Sequence, residues 1–139
     1  MPPSLEILPL SRNRKDIRRF LNVPERIYSG NPHWVAPWKP DAERVFRPSN
    51  PFFEHAEMQL WIARRGGKEV GRIAGILDAS HNEFQEDQAA FFGFFECCHD
   101  PAVARELFDT VCQWARERRM RRVLGPMSPS TNDECGLLV

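Results

Sequence analysis

The chain has 139 residues, 42% of them apolar and 27% charged, which is enough for one hydrophobic core and unlike a disordered tail. Nineteen basic and nineteen acidic side chains cancel, so no net field draws the chain toward nucleic acid or a charged membrane. No run reaches the ~18 apolar residues of a membrane span, and Met1–Leu10 lacks the basic start and apolar block of a secretory leader.

The expected address is therefore the cytoplasm, where Cys97, Cys98, Cys112 and Cys135 stay reduced. No C-x-x-C pair occurs and the four histidines are scattered singly, so no metal site is expected.

Leu5–Leu10 alternates as a short strand, and Pro9 confines it to a sheet edge or a strand end. Ser11 is the expected cap of a helix through Leu21. Pro24 should stop that helix, because the residue before a proline avoids the α region. A second helical turn follows, with Ile27 and Tyr28 inward and Gly30 closing it. Residues 31–53 hold five prolines, and Pro40 opens a brief helix through Val45 and Phe46. Trp34, Trp38, Phe46, Phe52 and Phe53 either pin a long loop to the core or wall a binding cleft; pinning is the expected role.

Residues 58–64 and 69–77 read as strands joined through Arg65, Gly66, Gly67 and Lys68, a hairpin signal. Asp78–Asp87 is polar and reads as a turn. Ala89–Phe95 is a buried strand whose rings should alternate between the two sheet faces. Asp100 then stands as an N-cap and Pro101 as the first residue of a long helix to Met120. Ala104, Leu107, Phe108, Val111, Cys112, Trp114 and Ala115 form its inward stripe. Arg121–Leu124 is one more short strand and Ser128–Glu134 a polar loop. Gly136–Val139 stops in mid-run, as though residues 1–139 were the N-terminal part of a longer domain.

This order predicts an α/β (α+β) protein with a mixed, mostly antiparallel, twisted sheet and flanking helices. Three strands form a meander, and the long helix crosses over to a parallel neighbour. A strand feeding a helix N-terminus is also where such proteins hold anions.

Among residues that could carry chemistry, Glu96 ends the apolar strand and suits a general base. Asn132, Asp133 and Glu134 could order a polar substrate, while the hydroxyls near them shape turns. Cys135 reads as an inert thiol, and His55 and His81 as surface or turn residues. Arg116, Arg118, Arg119, Arg121 and Arg122 form a basic cluster, best explained as cations near a helix C-terminus.

The element order, with the phrases NPFFEHAE (50–57), VGRIAGILDASHNEF (70–84), FFGFFE (91–96) and GPMSPSTNDECGLLV (125–139), resembles the N-terminal part of a bacterial family with the GNAT fold of N-acetyltransferases. The resemblance implies an incomplete acyl-CoA N-acyltransferase fold, acetyl-CoA or another acyl-CoA as donor, and a small-molecule amine as acceptor. Glu96 would be the base and residues 132–134 would touch substrate. The family's pyrophosphate loop, Q/R-x-x-G-x-G/A, falls on His99–Ala104, making His99, Ala102 and Ala104 the cofactor-binding positions.

Only Ala104 matches that pattern. Pro101 removes a donor and Asp100 adds a negative charge, so a second expectation stands beside the enzyme: a non-catalytic binding or dimerisation module. A sheet lacking its closing strands should have its open edge covered, by a second copy or a C-terminal half.

Overall fold

The computed structural model describes residues 3–130 and 134–136. A five-stranded sheet, in spatial order β1-β2-β3-β4-β5, is built from β1 (Leu5–Leu10), β2 (Ala56–Arg65), β3 (Lys68–Asp78), β4 (Ala89–Cys97) and β5 (Arg122–Leu124). The first three pairings are antiparallel and β4–β5 is parallel. Pro9 sits on the edge strand, where a missing N–H leaves no gap in the ladder. Gly66 and Gly67 both take positive φ in the β2–β3 turn, as a two-residue hairpin connection requires.

Helix α1 (Arg14–Ile27) and the short α2 (Lys39–Phe46) cover one face of the sheet. There Phe20, Val23 and Phe46 pack with Leu60, Ile62, Ala74 and Ile76. The short α3 (Ala79–Gln85) follows β3, and α4 (Pro101–Glu117) covers the opposite face. On that side Val103, Leu107, Val111 and Trp114 meet Trp61, Ala63, Ile73 and Ala90. Gly71 and Gly75 let α4 approach: a Cβ on either would come within 2.9 Å of Leu107 or Trp114.

Several local expectations fail for identifiable reasons. The α1 cap is Asn13, whose side chain accepts from the Asp16 amide, while the Asp16 carboxylate reaches back to the Ser11 amide and hydroxyl. Pro24 does not stop α1, which runs through it to Ile27. Residues 79–85 form α3 rather than a turn, capped by Asp78 and closed by Glu86 in the left-handed region. Asn82 ties this helix to the strand that follows, bonding both the N–H and the C=O of Ala89. Part of the 125–135 loop is a two-stranded ribbon, β6 (Met127–Ser128) with β7 (Glu134–Cys135). The long helix ends at Glu117, short of Met120.

The β4 rings alternate from one ring to the next, although strict pleating would put Phe92 and Phe94 on one face. Phe91 and Phe94 pack on the α1 side, Phe92 and Phe95 on the α4 side. The register with β3 slips between Arg72 and Ala74, and Phe94 takes φ 54. One extra residue in β4 makes this a bulge, which turns both Glu96 and Phe94 toward α1.

Candidate functional site

The site grows from a buried cation. Arg72 lies midway along β3, directly opposite Glu96 of β4 and on the α1 side, and it is 9% exposed. Its Nη1 donates to the Phe20 carbonyl at 3.2 Å and its Nε to the Phe94 carbonyl at 2.9 Å. The Phe20 carbonyl is the one that residue 24 would bond in a regular α-helix, and Pro24 has no N–H to give. Arg72 supplies the missing donor from the sheet, which is why the proline is tolerated inside α1. The guanidinium also lies over the Phe20 ring, 4.8 Å from its centroid. Burial pulls the Arg72 pKa down to about 10, with Glu96 and Tyr28 opposing, so the group is still charged near neutrality.

Tyr28 is the C-cap of α1 and stacks on Trp34, ring centroids 5.4 Å apart. Its hydroxyl donates to Glu96 Oε2 at 2.5 Å. Burial, then the hydrogen bond and charge of Glu96, raise the Tyr28 pKa well above its ordinary value, while Arg72 opposes. The phenol therefore stays protonated and Glu96 is its acceptor. A carboxylate with an attached proton donor, across the β3–β4 pair from a buried cation, is an arrangement suited to proton transfer.

Beside Tyr28 lies an open groove of about 1530 Å³. Its walls are the C-terminal end of α1, the 28–35 loop, the start of β3 and residues 97–99. Trp34 lines it, so the 31–53 region plays both roles considered for it. Phe46, Phe52 and Phe53 pack on the core, Trp34 walls the groove, and Trp38 is 72% exposed.

The α4 N-terminus does not fit a pyrophosphate. Pro101 has no N–H, the Ala102 amide donates to the Asp100 side chain at 3.0 Å, and the Val103 amide bonds the Asp100 carbonyl. Asp100 also binds Arg65 Nη1 at 2.6 Å. That bond, with the Ala102 amide, holds the Asp100 carboxyl below its usual range. The first-turn donors that would meet a phosphate are thus engaged by the chain itself. His99 borders the groove, Ala102 gives its amide to the cap, and Ala104 makes an ordinary helical bond to Asp100.

Asn132 and Asp133 lie outside the described residues. Glu134 pairs with Ser128 in the β6–β7 ribbon. Ser128 itself reaches β4: its Oγ accepts from the Phe94 amide at 3.1 Å. The Met127 carbonyl lies so close to Gly93 that a Cβ there would be 1.7 Å from its oxygen. Gly93→Ala should therefore lift this segment off β4 and cost about 1–3 kcal/mol. The check is the midpoint of urea unfolding, and an unchanged midpoint would count against the contact.

The other candidates stand apart from the groove. His55 bonds Asp78 at 2.8 Å, and His81 packs edge-on to Phe91. Within the basic cluster Arg118 pairs with Glu57 and Arg122 with Asp87. Cys97 borders the groove, but burial pushes its thiol up to about 12, so it is no nucleophile at neutral pH. Among the described residues no three His, Cys, Asp or Glu side chains gather as metal ligands, and no helix is long and apolar enough to cross a membrane.

Glu96 was singled out from the sequence, while Arg72 and Tyr28, which the fold brings to it, were not. One signal was present: Arg72 is the lone charge in the apolar run from Val70 to Leu77. A charge in a buried strand needs a partner.

No family model matches the chain. It is 36% identical over 137 residues to the bacterial ceramide synthase of Caulobacter vibrioides, an alignment covering 97% of this chain and 35% of that protein. The chain thus spans about a third of this relative's length. A tandem GNAT protein from the clavulanic acid biosynthesis pathway superposes with a TM-score of 0.64 at 19% identity, over 91% of this chain and 38% of that one. An aminoglycoside acetyltransferase from an uncultured soil metagenomic sample, in complex with trehalose, gives 0.61 at 13%, over 92% and 80%. Sheet order, the parallel β4–β5 pair and these superpositions agree: the chain has the GNAT fold of the N-acetyltransferases.

Proposed function

We propose that the chain forms the acceptor side of an N-acyltransferase, which moves an acyl group from a CoA thioester to an amine. The observation that carries this is the Tyr28–Glu96 hydrogen bond over Arg72 at the edge of the groove. In this reading Glu96 takes a proton from the amine, directly or through water, as the nitrogen attacks the thioester carbonyl. The C–S bond then breaks and the thiolate leaves. Tyr28 protonates the thiolate and is itself reprotonated by Glu96, so the protons balance.

The Phe94 amide, turned out of the ladder by the bulge, is the nearby donor for a developing oxyanion, and an acyl oxygen would compete with Ser128 for it. The thioester's pyrophosphate has no place at the α4 N-terminus, so no step is assigned to His99, Ala102 or Ala104. The relative named a ceramide synthase suggests the kind of acceptor, since a ceramide is the N-acyl amide of a long-chain amino alcohol.

The test is incubation with a long-chain acyl-CoA and a long-chain amino alcohol, following amide by mass spectrometry and free thiol by absorbance. Amide and thiol should appear in equal amounts. Thiol without amide would make water the acceptor. Neither product, from protein shown to be folded, would leave the second reading, a non-catalytic binding or dimerising module. The closed α4 N-terminus and the Met127–Ser128 segment seated on β4 favour that alternative.

A further inference from the structure

The groove wall holds a carboxylate, Glu69, that the chemistry above does not use. Glu69 is on β3, three residues before Arg72, or about 10 Å along the strand. Its side chain is 8% exposed, it lines the groove, and one oxygen, Oε1, pairs with Arg19 of α1. The other, Oε2, is buried without a hydrogen-bond partner.

Its placement depends on a bulge. The β2–β3 register slips between Ala63 and Arg64, leaving Val70 as an extra residue. Val70 packs on the α4 side, where the Cβ position of Gly71 also faces. Glu69 is thereby turned to the α1 side, together with Arg72. Strict alternation would have sent it to the opposite face.

A buried carboxylate oxygen without a donor is costly, and it marks a place where a ligand can supply one. The terminal torsion of Glu is soft, so one oxygen can hold Arg19 while the other turns to the groove. We propose that Glu69 is an acceptor-recognition residue: it binds a hydroxyl or ammonium carried by the amine substrate, apart from the nitrogen that Glu96 deprotonates. The acceptor class is thus an amine with a second donor group, an amino alcohol or a polyamine rather than a plain alkylamine. This rests on the N-acyltransfer reading and specifies its acceptor.

Binding separates the two ideas because it needs no catalysis. The probes are a short-chain 2-amino-1,3-diol and the alkylamine of equal chain length, titrated calorimetrically into the wild-type protein and Glu69→Gln. The wild type should bind the amino diol about tenfold more tightly, the scale of one charged hydrogen bond. Glu69→Gln should erase that preference by weakening the diol while leaving the alkylamine unchanged. Equal wild-type affinities would overturn the proposal, and so would a preference that survives the substitution. Equal weakening of both probes would make Glu69 a structural partner of Arg19 only, which also overturns it. Should Glu69→Gln fail to fold, the wild-type comparison still decides. Amide formation without a binding preference sinks this inference alone. A preference with no amide formed sinks the acyltransferase reading and leaves the recognition role standing.

Discussion

Replacing Arg72 by methionine should cost about 3–5 kcal/mol of folding stability, the scale for removing one member of a buried charged network. Methionine keeps much of the side-chain volume, so the loss is electrostatic more than steric. Three groups are left without their donor or counter-charge at once: the Phe20 carbonyl, the Phe94 carbonyl and Glu96. The cause can be isolated. Pro24→Ala in the same chain returns an N–H to α1, and that N–H can reach the Phe20 carbonyl. The double variant should regain about 1 kcal/mol over Arg72→Met, the usual worth of one hydrogen bond. Urea unfolding of the four proteins closes the cycle. Strict additivity would mean that Arg72 does not stand in for the missing helical donor.

Glu96→Gln should lower kcat for amide formation by about 10²–10⁴-fold, the usual contribution of a general base. Gln keeps the length of the side chain and can still accept from Tyr28, so the fold and the amine KM should change little. Tyr28→Phe should be milder, because the carboxylate survives while its donor is lost. Steady-state kinetics on an amine that wild type acylates provides the measurement. A kcat within threefold of wild type for Glu96→Gln would remove the carboxylate from the chemistry. A matched fall in kcat and thermal stability would instead mark it as a structural counter-ion to Arg72.

Much of the fold was readable because its signals are local. The β2–β3 hairpin followed from two glycines between apolar runs, and the start of α4 from Asp100 and Pro101 in sequence. Pro24 misled because the breaker rule assumes that a lost helical bond goes unreplaced. The replacement comes from a side chain 48 positions away, and no window along the chain reveals it. Residues 79–85 were missed because α3 has no buried residue and so no apolar stripe to detect. For the site, Glu96 was visible as a carboxylate ending an apolar strand. Tyr28 and Glu69 were not, since bulges and a helix end, rather than spacing, bring them to one side of the sheet.

The two bulges carry a consequence for how this chain can vary. Substitutions change one side chain; loss or gain of a residue in β4 removes a bulge, adds one or shifts the phase of what lies beyond it. Deleting one residue at Gly93–Phe94 would remove the bulge and restore regular pleating, with Phe95 and Glu96 kept on their present faces. What would be lost is a part of the seat for the Met127–Ser128 segment, either the close approach at Gly93 or the Phe94 amide that donates to Ser128. Related sequences should therefore tolerate varied rings at positions 91, 92, 94 and 95 more readily than any change of length between Ala90 and Glu96.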